Sequence, residues 1–212
     1  FWLLNPSGVL VGAGARFDLP AGLHLGAAPQ LQLADGSTWS SRSADPSTLS
    51  VAAPERFGFL GPGSGGPLVV QDAVLAPPPG AALTLAAATL TIERAQLSTT
   101  LADLRLQATG LLRLGERSSV DASGRGLGTG RLLIEAGQLD ATAGALVTAW
   151  HDGDGIGDGA TLDVAGALTL AGGAGIASYT LGSGQAGALP VRAERVAVAG
   201  EDKAGPSSIS SF

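Results

Sequence analysis

The side chains best placed to do chemistry in this sequence gather in one short stretch. Asp152, Asp154 and Asp158 alternate with glycine through Asp152-Gly153-Asp154-Gly155-Ile156-Gly157-Asp158-Gly159, and carboxylates at alternate positions are what a calcium loop uses. The helix-flanked version of such a loop needs an oxygen at its fifth position and glutamate at its twelfth; here Ile156 and Asp163 stand there. Asp152, Asp154 and Asp158 are therefore a calcium candidate set against a default reading, a solvated Gly/Asp turn. His24 and His151 keep no ligand or nucleophile spacing with a second group, so both are expected at the surface. Glu135, Asp140 and Asp163 should point outward from strands. Acid–base cleavage of a polysaccharide would need basic side chains collected beside them, and Lys203 is the only lysine. The expectation is a protein without catalytic residues, cofactor or resident metal.

Composition sharpens this. Twelve Lys and Arg against 18 Asp and Glu give a net charge of −6, which lacks the basic footprint of a nucleic-acid binder. The absence of Cys excludes disulfides and thiolate metal sites, and it suits a chain that crosses an oxidising compartment unfolded. With 45% hydrophobic and 14% charged residues and a mean hydropathy of +0.30, the chain should fold despite its 33 Gly and 12 Pro. No apolar run approaches the ~20 residues of a membrane-spanning helix. A start at Phe1 inside a strand, and an end at Phe212 without a cap, read as an interior fragment of a longer protein.

The elements that would hold these residues repeat. Apolar pairs spaced i, i+2 mark inward faces of strands. Leu104/Leu106, Leu132/Ile134, Leu162/Val164 and Leu189/Val191 have first members 28, 30 and 27 apart. Leu112/Leu114, Leu139/Ala141, Leu168/Leu170 and Val196/Val198 follow at 27, 29 and 28, and Val120, Leu146, Ile176 and Ile209 at 26, 30 and 33. Upstream, Leu83/Leu85, Leu90/Ile92 and Leu97/Thr99 recur at steps of 7, and Leu104 lies 21 from Leu83. Returns at 124–130, 152–159 and 182–187 absorb the length differences. No helical stripe is sustained, and a flat sandwich does not demand like residues at a near-fixed period. Three short strands per unit, stacked with inward residues over one another, fit the pattern. Thr148, Ser178 and Ser211 are then expected to form a hydroxyl ladder.

Residues 1–28 read as strand, turn, strand, turn, strand. In Asn5-Pro6-Ser7-Gly8, Pro6 pre-sets φ, Asn5 can cap the turn through its side chain, and Gly8 suits the fourth position. In the context of Val9-Leu10-Val11-Gly12 and Ala13-Gly14-Ala15-Arg16-Phe17-Asp18-Leu19, the stretch resembles the haemagglutination-activity or secretion domain of filamentous haemagglutinin-like exoproteins. Asn5, Pro6 and Gly8 match that motif directly, Ser7 replaces the usual Asn and Val11 the usual Phe. Ser47-Thr48-Leu49-Ser50-Val51 leading to Pro54-Glu55-Arg56-Phe57-Gly58-Phe59-Leu60 looks like the segment that closes such domains.

The resemblance implies an all-β fold, a right-handed single-stranded parallel β-helix of the pectin-lyase-like kind with three strands per rung. Residues 1–65 would be the C-terminal part of the secretion domain, and 66–212 further rungs continuous with it. The family's amino-terminal cap and its earlier secretion motif have no counterpart in the sequence. The resemblance also implies an adhesin-type protein exported by a dedicated outer-membrane two-partner secretion transporter. It would stand secreted or at the surface of a Gram-negative bacterium and meet receptors or glycans of host or neighbouring cells, not nucleic acid. The alternatives are an autotransporter passenger, a phage-like β-solenoid fibre or a polysaccharide lyase; neither the passenger nor the fibre accounts for the Asn5 to Leu19 pattern.

Overall fold

The computed structural model describes residues 1–41, 47–48, 50–59, 61, 64–125, 130–203 and 205–212. Leu49 and Leu60 of the expected closing segment, and 126–129 of the first return, lie outside them. Every regular element among the described residues is a strand. Period-2 alternation makes them so: in Leu104–Gly115 the buried Leu104, Leu106 and Ala108 alternate with Arg105 and Gln107.

These strands stack in parallel in three series. The first runs Trp2–Leu4, Leu23–Gly26, Leu83–Ala87, the first half of Leu104–Gly115, the first half of Leu132–Ala141, Ala160–Val164 and Val191–Arg192. The second takes Val9–Val11, Pro67–Gln71, Thr89–Glu93, the second halves of the same two long strands, Ala167–Ala171 and Arg195–Ala199. Those long strands join the two series into one sheet of 12 strands that curls on itself. The third series forms a separate six-stranded sheet from Val74–Leu75, Gln96–Thr100, Ser119–Arg125, Leu146–Asp152, Gly175–Thr180 and Ser208–Ser211. Inward residues of all three meet in one apolar core that runs from Val11 to Ile176. Burial of each Leu or Ile there contributes roughly 1.5–3 kcal/mol before entropy is counted.

The bends are held by small residues. Gly66, Ala88, Gly110, Gly137 and Gly166 lie one above another between the first and second series: Ala88 N–H donates to Gly66 at 3.1 Å, Gly110 N–H to Ala88 at 2.8 Å and Gly166 N–H to Gly137 at 2.8 Å. A Cβ on Gly137 would lie 2.7 Å from two carbonyl oxygens below it, so the close backbone approach excludes a side chain. The turn after the second series instead uses left-handed residues, with Asp72, Arg94 and Glu116 at φ 52, 49 and 48. Arg94 bridges both acids there.

The pairing corrects four expectations. The second series matches residue for residue, Leu112 to Leu139 to Leu168 to Val196. In the first, Leu132 pairs with Ala160, and Leu162 pairs with Ile134 and Val191, so the expected Leu132–Leu162–Leu189 column is slipped by two residues. A slip of two keeps every side chain on its face, and hydrophobic pattern alone does not resist it. In the third, Val147 pairs with Val120 and Ile176 while Leu146 points out, 47% exposed. Thr148 therefore sits beside Asp121 and Ala177 and drops out of the expected hydroxyl ladder, of which only the Ser178–Ser211 step is paired. Finally, residues 13–19 form no strand, and the third strand of the opening stretch is Leu23–Gly26.

Two antiparallel excursions leave the parallel stack, the shorter pairing Glu201–Asp202 with Gly205–Pro206. Gln30–Leu33, Thr38–Ser40 and Pro54–Gly58 make a three-stranded antiparallel sheet. It is anchored by Phe57, which lies over Gly26 where a Cβ would be 2.2 Å from the ring, and which tilts against Trp2 at 5.0 Å.

The corrected register can be checked by cross-linking, because the chain has no Cys of its own. Leu133 and Thr161 are paired outward positions, within the Cα separation a disulfide spans. Leu133→Cys with Thr161→Cys should oxidise readily, whereas Arg131→Cys with Thr161→Cys should stay largely reduced; equal oxidation of both pairs would refute the register.

Candidate functional site

The Asn5–Gly8 turn is built into the stack. Gly8 N–H donates to the Asn5 carbonyl at 3.0 Å, Ser7 N–H to Asn5 Oδ1 at 3.2 Å and Asn5 N–H to Gly26 at 2.9 Å, so Asn5 caps the turn as its side chain allows. Gly8 has φ 130 and sits against Pro67, and a Cβ on Gly66 would lie 2.6 Å from the Pro6 carbonyl. The turn thus closes over the top of the glycine column between the first and second series.

The Gly/Asp loop is held by backbone contacts. Its 152–159 stretch lies against 182–187: Gly184 N–H donates to Gly153 at 2.8 Å, Gln185 N–H to Gly155 at 2.9 Å, and Gly157 N–H to Gln185 at 3.0 Å. A Cβ on Gly184 would be 2.0 Å from the Gly155 carbonyl oxygen. The carboxylates diverge. Asp152 approaches Arg125 at 3.8 Å, Asp154 accepts from the Ser183 hydroxyl, and Asp158 lies beside His151. No three acidic or histidine groups converge on a common point among the described residues. The glycines here answer to packing between loops, a role that alternate aspartates obscure in sequence.

His151 is buried, contrary to expectation, whereas His24 is half-buried on the outward face of its strand. His151 follows Val147 and Ala149 in the inward register of its strand and is 1% exposed. It is walled by Gly124, Gly157, Gly159 and Gly187, and neither ring nitrogen has a partner among the described residues. His24 stacks on Trp2 at 4.1 Å and 13° and bonds Thr84 Oγ1 through Nδ1 at 3.0 Å. Burial first, then the neighbouring amino terminus, lowers its pKa from 6.5 to about 4.

Glu135, Asp140 and Asp163 do point outward, each between buried neighbours. Glu135 pairs with Arg105 at 2.7 Å. Around Arg105 the structure assembles a cleft of about 280 Å³ between the outward side of the first series and the Pro54–Gly58 strand. Its charged lining is Arg56, Arg105 and Arg131 with Glu55 and Asp103. Sequence reasoning missed this group: Arg105 and Arg131 occupy readable outward positions, but Arg56 arrives on an antiparallel excursion that no repeat period announces. A second, more apolar cavity of about 430 Å³ lies where residues 13–19 fail to pair with Val74–Leu75, against Phe17 and Leu19.

On the outward side of the third sheet, Asp121 accepts from Trp150 Nε1 at 3.0 Å and from Thr148. Burial raises its pKa, against the pull of those two hydrogen bonds. Comparison with protein-family models, curated proteins and solved structures yields no match.

Two predictions come from these residues. Gly184→Ala should destabilise the chain by about 1–3 kcal/mol in urea denaturation, because the added methyl must displace the backbone of the loop below, while Asp154→Asn should change stability by less than about 0.5 kcal/mol. For His24 the folded pKa lies below the ordinary one, so its neutral form is favoured by the fold and its contribution is complete above about 6.5. That contribution drains as pH falls toward about 4. Stability measured from pH 7 to 4 should decline in the native chain and decline less in His24→Phe; parallel curves would show that the ring's burial is not linked to folding.

Proposed function

We propose that this chain is part of a filamentous haemagglutinin-like exoprotein of the two-partner secretion type. Its three strand series wind as a right-handed single-stranded parallel β-helix, with three strands per rung, that serves as secretion and display scaffold and not as a catalyst. The observation that carries the reading is the Asn5-Pro6-Ser7-Gly8 turn. The residues that bear the resemblance form the turn that seats the opening strands on the glycine column, through Gly66 and Pro67. A near-regular separation of paired strands supports the winding: 21 residues from Leu83 to Leu104, then 28 from Leu104 to Leu132 and from Ile134 to Leu162.

Such a stack has a mechanical consequence for export. Each rung needs only its neighbour to complete its pairing and its inward contacts, so folding can advance strand by strand as chain emerges from a pore. A chain without Cys has no disulfide to jam that passage. The partner implied is a dedicated outer-membrane transporter, the destination is the surface of a Gram-negative cell or the medium, and receptors or glycans of other cells are what the scaffold would present itself to.

The test is export of the full-length parent with its transporter. Asn5→Ala combined with Pro6→Ala should lower surface delivery at least tenfold while the isolated chain keeps its β-sheet circular dichroism. Undiminished delivery, or delivery that does not require the transporter, would overturn the proposal.

A further inference from the structure

We propose that the arginine-lined cleft under the antiparallel excursion binds an acidic saccharide, with the Arg131 guanidinium taking a sugar carboxylate. This goes beyond the secretion reading and stands without it, since the cleft is the same whatever exports the chain.

The floor of the cleft is a row of outward side chains on neighbouring parallel strands. Thr84 pairs with Arg105 and Arg105 with Leu133, and Gln107 begins the next row. Three strands at roughly 4.8 Å spacing give a floor of about 10 Å, a length that takes about two linked sugar rings. The opposite wall is Glu55, Arg56 and Phe57, held in place by Phe57 on Gly26.

Donors outnumber acceptors on this lining. Arg56 is committed through Nε to Gln32 Oε1, and Arg105 through one terminal nitrogen to Glu135. Arg105 Nε is buried with no partner, and a buried donor left unpaired is costly. The Arg131 backbone N–H donates to Asp103 Oδ1 at 3.1 Å, which fixes the root of that side chain. Its guanidinium has no ion-pair partner among the described residues. An exposed guanidinium fork on a fixed root, lining the same cleft as Arg56 and Arg105, matches a planar carboxylate. Gln107, Asp103 and Thr84 offer the mixed donors and acceptors that ring hydroxyls need.

The same surface disfavours the other anionic ligands. An extended peptide binds chiefly by joining a strand edge, but the floor strands are paired on both sides. The edge strand on the wall carries Pro54, Glu55 and Arg56, residue types that blunt an edge. A polyphosphate requires an extended basic surface, whereas this lining has three arginines interspersed with Glu55 and Asp103.

The probe is a hyaluronan tetrasaccharide titrated into the chain by calorimetry, with chitotetraose as the uncharged counterpart and hexaglutamate as the acidic peptide. The expected result is binding of the acidic tetrasaccharide that weakens with salt, with chitotetraose at least tenfold weaker. Arg131→Gln should cost at least tenfold in affinity. Arg113→Gln, on the outward side of the second series, should leave affinity unchanged and so separates a local contact from a general loss of positive charge. Absence of binding, equal binding of hexaglutamate, or equal losses from Arg131→Gln and Arg113→Gln would overturn the proposal, and none of these outcomes bears on whether the turn at Asn5 directs export.

Discussion

The structure depends on one constraint: a parallel strand pairs with the strand beside it at a register that sets each inward side chain directly against another. Leu85 lies beside Leu106, Leu106 beside Ile134 and Ile134 beside Leu162, and all four are fully or almost fully buried. Because the core grows as columns, a single position is answerable to the layers on both its sides. Deleting one such side chain opens a cavity with neighbours above and below, the situation in which large-to-small changes cost about 2–5 kcal/mol.

The same constraint governs the backbone between strands. Between the first and second series the bend must nest in the bend of the preceding layer at strand spacing, which leaves room for nothing larger than the Ala88 methyl. Gly110 and Gly137 meet it by lacking a Cβ. After the second series the chain turns left-handed instead, and there Asp72, Arg94, Glu116 and Ala143 accept positive φ that glycine takes in the later layers at Gly172 and Gly200. That conformation costs a side-chain-bearing residue about 1 kcal/mol or more, a strain spread over several layers and held by the pairing on either side. The abundance of glycine is in this sense a packing requirement.

How much of this is readable in the sequence follows from the constraint. The second series is legible because Leu112/Leu114, Leu168/Leu170 and Val196/Val198 have only Gly or Glu two places away on either side. The first series is legible in face and not in register, since Ala160 is as acceptable inside as Leu162 and only the pairing chooses. The third is misread by one residue at Leu146, where the larger side chain draws attention from Val147, although Val147, Ala149 and His151 share one face. His151 shows the limit of judging a residue by type: its alternation marks it as inward, and imidazole chemistry suggests otherwise. The Asn5 turn was readable down to its side-chain cap, because turn chemistry is local. The arginine cleft was not, because it joins residues 55–57 to 103–107 and 131 through an excursion whose return carries no periodic signal.

That division says where function has room to act on such a chain. Parallel pairing consumes the backbone groups of every interior strand, and the columns consume the inward side chains, so chemistry is left to outward side chains, corners and insertions. Outward rows such as Thr84–Arg105–Leu133 take no part in the core, but a row alone is flat and offers a ligand one face. The antiparallel excursion supplies what the stack lacks, a second wall, and its anchor is again a glycine: Gly26 yields its side-chain volume so that Phe57 can lie on the strand. A chain whose regular part resists variation thus obtains a concave, charged surface by leaving the repeat at one point and folding back over it.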